Sequence, residues 1–245
     1  MEGRITAKVR DLDAMLSAVE AVNKYAVLHF RENGVYVGQM DQGKNVFMKM
    51  FVSKSFFQSY SSPGITAVTD VVTLKELVKA LKQQFVEIVI HDDVIHIADQ
   101  TVKADEYVED YVDLEVKDVF TVVGLDASPT ELKKFIATLD DFFVEKIDMS
   151  IDKKITKITG RLDGRYVFEA TYENNSHDGR EQASASYSVR LLTLPLGAIS
   201  KVANIIRLYT FKVGVGEKGL LMLYLEDRYV NEYIKLVYYI TPRID

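Results

Sequence analysis

From Phe120 onward the chain runs again through an order of elements it has already completed once, and this repeat constrains the fold more than any single motif. The first pass opens with ITAKV, alternating and rich in β-branched residues. It continues into a 3.6-period run that sets Leu12, Met15, Leu16, Val19 and Val22 on one side, with Asp11 as the expected N-cap. AVLHF and VYVGQM follow, separated by Arg31-Glu32-Asn33-Gly34, whose Asn-Gly pair signals a hairpin, and VFMKMFV supplies a third strand. After Ser61-Ser62-Pro63-Gly64 and the extended ITAVTDV, Thr73 is the expected cap of a second helix bearing Leu74, Leu77, Val78 and Leu81 on its apolar side. Strands VEIVI, VIHIA and TVKADEYV complete this half near residue 110.

The second pass matches it. Phe120 to Leu125 reads as a strand, Ser128-Pro129 as an N-cap followed by an N1 proline, and Leu132, Phe135, Ile136 and Leu139 as the buried side of a helix. KIDMSI, ITKITG, RYVFEATY and ASYSVRL are the next strands, and LPLGAISKVANIIRL is a helix with Leu196, Ile199, Ala203 and Ile206 together. YTFKVGV, LLMLYLE and IKLVYYI close the series. Equivalent helices lie roughly 120 residues apart, a spacing that fits a duplicated domain rather than a short-period solenoid. A chain of this length can alternate strands and helices by chance, but a matching order of about nine elements argues against that. The expectation is α+β: two similar domains, residues 1–110 and 120–245, joined by a linker at 111–119.

Composition removes several classes of function. With no cysteine there are no disulfides, thiolate metal sites or cysteine nucleophiles. No apolar run approaches the roughly 20 residues of a membrane span, and MEGRITAKVRDLDAM carries charges where an export signal needs an apolar stretch. An intracellular protein with no membrane partner is therefore expected. The chain contains no P-loop, GxSxG, HExxH or dinucleotide fingerprint. His91-Asp92-Asp93 with His96, and Asp140-Asp141, are the clusters that suggest a metal. Read as one strand, the first puts its two histidines on opposite faces, and paired aspartates are commonly turn formers, so no metal, cofactor or catalytic residue is expected. A metal-dependent nucleic-acid hydrolase would have to use Asp92 and Asp93.

The net charge of −6 has the wrong sign for a protein that coats nucleic acid with its whole surface. Yet bases recur where the helices should face outward. Lys75, Lys79 and Lys82 are spaced to share one strip, Lys133 and Lys134 lie in the third helix, Lys201 and Arg207 in and after the fourth, and Lys8, Arg10 and Lys24 flank the first. Acids gather elsewhere, at Asp92-Asp93, Asp105-Glu106, Glu109-Asp110, Asp113 to Glu115 and Asp140-Asp141. A lone lysine on a solvated helix is ordinarily a solubilising residue, so only the collective pattern points to phosphate. Contacts of that kind would be salt-sensitive and independent of base sequence, and the absence of an aromatic platform favours duplex over single strands.

The repeated order, GVYVGQMDQGKNVFMKMFV with its Gln39-Met40-Asp41, and the closing KLVYYITPRID resemble the DNA polymerase sliding clamps of archaea and eukaryotes, the proliferating cell nuclear antigen family, over essentially the whole chain. The resemblance implies antiparallel sheets outside, four amphipathic helices on the inner face, and a trimeric ring closed by two further clamp subunits, identical or homologous. Residues 102–109 and 166–172 would be the edges that pair between subunits. It implies a non-catalytic processivity factor around duplex DNA that tethers DNA polymerase, clamp loader, flap nuclease and DNA ligase by short peptide motifs. By position, clients would be held by Met40, Phe47, the linker residues Asp113, Leu114, Val116 and Val119, and Tyr239, Ile240, Thr241, Pro242 and Ile244 of the tail. Taken alone, without the resemblance, Met40, Phe47 and Ile240 read as core rather than as a pocket. The linker EDYVDLEVKDV is shorter than is usual in the family, and Gly219 stands where many members have proline, departures that bear on client choice. A specialised subunit of a heterotrimeric, checkpoint-type or viral clamp is the other reading within this resemblance. The implied location is the cytoplasm or nucleoid of an archaeon, or a eukaryotic nucleus.

Overall fold

Both passes form the elements their periodicities require, and they do so with the same strand pairings. The computed structural model describes residues 2–91, 94–206, 208–227 and 234–243. The chain divides into two units, Met1–Leu114 with Lys201–Tyr209 and Glu226–Leu236, and Glu115–Ser200 with Thr210–Leu225 and Val237–Asp245.

The first pass comprises β1 (Glu2–Lys8), α1 (Val9–Glu20), β2 (Tyr25–Arg31), β3 (Gly34–Met40), β4 (Val46–Ser53), a 3-10 turn at Lys54–Phe56, and β5 (Ser59–Ser61). It continues with β6 (Ile65–Asp70), α2 (Val71–Ala80), β7 (Phe85–His91), β8 (Val94–Ile97) and β9 (Gln100–Val102). One sheet runs β5-β1-β7-β8-β9 and another segment runs β4-β3-β2-β6, with every one of these pairings antiparallel. α1 buries Leu12, Met15, Leu16 and Val19, and α2 buries Val71, Leu74 and Val78. The α1 side chains and Leu74 of α2, with Ile5, Leu28, Val37 and Ile88 among others, line a residual apolar cavity of about 40 Å³.

The second pass comprises β10 (Phe120–Leu125), α3 (Pro129–Asp141), β11 (Lys146–Asp152), β12 (Ile155–Leu162), β13 (Tyr166–Asp178), β14 (Gln182–Ser188), α4 (Val189–Ala203), β15 (Tyr209–Gly216), β16 (Leu221–Asp227) and β17 (Ile234–Ile240). Its strand order is β14-β11-β12-β13-β10-β15-β16-β17. In the first pass β1 pairs with β5 and β7, β2 with β3 and β6, β3 with β4, and β8 with β7 and β9. In the second, β10 pairs with β13 and β15, β11 with β12 and β14, β12 with β13, and β16 with β15 and β17. The two patterns coincide once β4 and β5, which the 3-10 turn separates, are matched to the single long strand β13. Duplication therefore extends from the order of elements to their hydrogen-bonded partners.

Several local expectations are corrected. α1 begins at Val9, straight from an extended Lys8 that offers no side-chain cap, and Asp11 lies in its first turn, where a carboxylate favours the helix dipole. Asp70 caps α2, its Oδ1 accepting from the Thr73 amide at 3.0 Å. The hairpin turn is Glu32-Asn33, one residue ahead of Asn-Gly, with Arg31 opposite Gly34. Gly34 serves the strand: its φ is +150°, and a Cβ there would sit 2.1 Å from the Val52 carbonyl oxygen. The strand expected over TVKADEYV ends at Val102, since residues 103–109 are charge-rich and gain a single backbone bond, Ala104 N–H to Val68 O at 3.2 Å. α4 begins at Val189 rather than near Leu194 and carries Pro195 inside it. Val189, Leu192, Leu196 and Ile199 make one fully buried stripe across the proline, and that burial outweighs the one helical bond lost.

α3 starts on a complete capping box. The Ser128 hydroxyl accepts from the Glu131 amide at 3.2 Å, while the Glu131 carboxylate accepts from the Ser128 amide at 2.7 Å and lies well placed at the helix N-terminus. Ser128→Ala is expected to cost about 1 kcal/mol, read as a lower denaturant midpoint at unchanged slope.

Candidate functional site

The helix surfaces that should meet phosphate carry as many acids as bases. α1 has Arg10 against Asp11, Asp13 and Glu20; α2 has Lys75 and Lys79 against Glu76; α3 has Lys133 and Lys134 against Glu131, Asp140 and Asp141; α4 has Arg190 and Lys201 with no acid. The separation of bases from acids expected along the sequence is thus not found on the helices. Lys82 lies beyond α2 in a left-handed conformation, φ +47°, so the expected strip ends at Lys79.

Many of the bases are engaged. Lys75 pairs with Glu20, and Lys79 Nζ lies 3.1 Å from Asp13 Oδ1. Burial first, and then repulsion from Lys79 and Lys201, hold the Lys75 ammonium below the ordinary lysine pKa. Lys24 Nζ donates to the Tyr25 hydroxyl at 3.0 Å and lies 3.2 Å from Asp70 Oδ2, partners that raise its pKa. Arg10 donates to the Asn204 carbonyl and Lys201 to the Ser17 hydroxyl, the latter at 3.1 Å. Lys8, Lys82, Lys133 and Lys134 are exposed and form no ion pair among the described residues. Arg207 lies outside the described residues.

The expected client-binding residues divide by burial. In the first unit Met40 is half-buried and Phe47 is buried, its ring edge-on to Tyr111 at 6.5 Å. The start of the linker is fastened here. His29 Nε2 lies 2.7 Å from Asp110 Oδ2, the Tyr111 amide donates to Gly38 O, and a Cβ on Gly38 would come within 2.4 Å of the Val112 backbone. Asp113 and Leu114 are exposed. In the second unit Val116 is half-buried and Val119 is exposed. The Glu217 amide donates to Val119 O at 3.0 Å, and a Cβ on Gly216 would meet the Asp118 carboxylate at 2.1 Å. Ile240 is fully buried and belongs to the core, whereas Tyr239, Thr241 and Pro242 are half-buried. The Tyr239 ring stacks near Phe120 at 5.8 Å, and burial raises its phenol pKa. Ile244 lies outside the described residues.

His91 and His96 sit on neighbouring strands of one hairpin. His91 is opposite Val94 and His96 opposite Val89, which puts both histidines on the same face rather than on opposite ones. His96 is taken up by Thr101, with Nδ1 to Oγ1 at 3.1 Å. Asp140 and Asp141 lie in the last turn of α3 rather than in a turn between strands. No group of three or more histidines and carboxylates placed to hold a metal occurs among the described residues, and Asp92 and Asp93 lie outside them. No helix among the described residues is long and apolar enough to cross a membrane.

A scan against protein-family models gives no match, and no curated protein matches the sequence. Solved structures do match. PCNA from Entamoeba histolytica superposes with a TM-score of 0.80 at 13% identity over 99% of both chains. A structure of the C-terminal region of FEN-1 bound to A. fulgidus PCNA gives 0.78 at 18% identity over 99% of both chains. The PCNA2-PCNA3 complex from Sulfolobus tokodaii gives 0.73 at 13% identity over 98% of this chain and 99% of that one. The chain has the PCNA fold. Within that fold Gly219 has φ +79°, its carbonyl accepts from the Tyr187 hydroxyl at 2.8 Å, and a Cβ there would lie 3.2 Å from Pro242. Proline, fixed near −65°, cannot replace it on this backbone.

Sequence reasoning overlooked the linker's fastenings, although a signal was available. Gly38 interrupts an otherwise bulky strand, and a strand-interior glycine marks a close backbone approach. Gly38→Ala is expected to lift residues 111–112, with amide exchange there faster by roughly tenfold and the rest of the unit unchanged. Asp70 supplies a pH test. Burial alone would raise its pKa, but the Thr73 amide and the Lys24 ammonium together lower it. Its ionised form thus stabilises the fold above the unfolded value of about 4, and that contribution disappears as the pH falls through the lower folded value. Asp70→Asn should be less stable than the parent at neutral pH and converge with it in acid, as followed by thermal melting against pH.

Proposed function

We propose that the chain is a non-catalytic sliding-clamp subunit that encircles duplex DNA and tethers replication and repair enzymes. The observation that carries this reading is the duplicated pairing pattern, taken together with the likeness to PCNA structures over 98% or more of the chain. Residues 1–110 and 120–245 are its two clamp domains and 111–119 their linker. Lys8, Lys82, Lys133 and Lys134 are the bases best placed to meet phosphate, because no internal acid holds them. Binding through them is independent of base sequence.

Assembly into a ring is supported by unsatisfied edges. β13 pairs with β12 through residues 166–173 but with β10 only through residues 174–178, so one side of its first half is open. Tyr166 and Val167 are exposed there, and Phe142, stacked at 5.2 Å on Phe168, lies beside Phe143, which is 82% exposed. β9 ends its sheet with the other side free, ahead of Tyr107 at 92% exposure. Open edges flanked by bare aromatics call for partner strands. Two further subunits, identical or homologous, satisfy them in a closed ring.

Client peptides of a polymerase, clamp loader, flap nuclease or ligase are assigned to Tyr239, Thr241 and Pro242 with Val116 and Val119 in the second unit, and to Met40 and Leu114 in the first. The C-terminal region of FEN-1 bound to PCNA is what one of the matching structures contains. A subunit of a heteromeric ring is the second reading, favoured by the match to a complex of two different clamp chains.

Light scattering of the purified chain over a concentration series tests both. A mass three times that of the chain is expected for the self-sufficient ring. A persistent monomer or dimer that becomes a trimer only on adding a related subunit selects the heteromeric ring, and a monomer that no relative recruits overturns the clamp.

A further inference from the structure

The ion pairs between α1 and α2 point to a restraint built into the phosphate-facing surface. Asp13 and Glu20 are seven residues apart, two helical turns, and so lie on one stripe of α1; Lys75 and Lys79 are one turn apart on α2. Asp13 reaches Lys79 and Glu20 reaches Lys75, two rungs across antiparallel helices. The rungs differ in exposure. The Lys75 side chain is 12% exposed and that of Lys79 is 49% exposed. The first pair is therefore shielded from salt and the second is open to it. Both acids are half-buried beside an apolar stripe that packs on the core, with side chains 26% exposed for Asp13 and 33% for Glu20.

We propose that Asp13 and Glu20 are an electrostatic brake: they hold Lys79 and Lys75 in internal ion pairs, so that a duplex phosphate must displace a carboxylate to recruit either lysine. The inference rests on the sliding-clamp reading and adds to it a regulation of the same surface. A clamp with these lysines released would exchange more counterions for phosphates and hold DNA more tightly. With them restrained, the surface guides the duplex without gripping it.

The test compares two double variants by fluorescence anisotropy on a linear duplex oligonucleotide over a salt series. Asp13→Asn with Glu20→Gln removes both brakes. It should bind on the order of tenfold more tightly at low salt, with a log affinity against log salt slope steeper by roughly one to two, about one for each lysine released. Glu32→Gln with Glu181→Gln makes the same change in net charge at two exposed positions outside the helices, without freeing Lys75 or Lys79, and should stay within about twofold of the parent. Equal gains in both doubles, or no gain in the first while the parent binds DNA, overturn the brake and leave the clamp reading standing. No duplex binding by any of the three proteins overturns the brake, while the clamp reading is decided by the light-scattering series, since retention by enclosure needs no equilibrium affinity for a linear duplex. Should the first double variant melt early, Glu20→Gln alone carries the same expectation at about half the change in slope.

Discussion

Each helix has one apolar stripe, and laying it on a sheet decides where every other side chain of that helix can go. On α1 the stripe is Leu12, Met15, Leu16 and Val19, and on α2 it is Leu74 and Val78. Burial of such side chains stabilises by about 1.5 to 3 kcal/mol each, several times what an exposed ion pair contributes. Packing therefore wins, and the charges are arranged around it. With both stripes turned inward, Asp13 and Glu20 are left facing Lys79 and Lys75 from one helix to the other, where they neutralise one another. The ion pairs are a consequence of the helix packing, not its cause.

Close backbone approach is the second constraint, and glycine marks it. Gly38 lets residues 111–112 lie directly on β3, Gly216 admits the Asp118 carboxylate, and Gly34 lets β3 press on β4. The segment between the fastenings, residues 113–117, is mostly exposed. A linker that contains neither glycine nor proline is thus shaped by what it lies against at its two ends rather than by its own turns.

These two constraints explain what could be read from the sequence. The repeat, the helix stripes, the Ser128-Pro129 start and most strands depend on periods of two and 3.6 and on local capping, which a linear reading captures. The end of β9 at Val102 depends on whether a partner strand is present, which no local pattern records. The early start of α4 depends on a stripe continuing through Pro195, where the local rule against proline gives the wrong boundary. His91 and His96 were misplaced because a hairpin between them changes the face each occupies. On the site, spacing correctly put Lys75 and Lys79 on one strip, but their neutralisation by Asp13 and Glu20, some sixty positions away, exists only once α1 and α2 are packed. The burial of Ile240 is legible in its strand, and the tail resemblance drew attention away from it.

A helix surface balanced between acids and bases also suits a protein that must enclose DNA and still travel along it. Phosphate contacts add affinity in proportion to the counterions they release, and each must be broken for the protein to advance. A strongly basic lining would hold the duplex in place. In a closed ring retention comes from topology, so the lining need only centre the helix, and a few unpaired lysines are enough. On this view the net charge of −6, which argues against nucleic acid for a protein that binds by its whole surface, is compatible with one that binds by enclosure. In such a ring the charge carried by α1 and α2 would set how freely it moves, not whether it stays on.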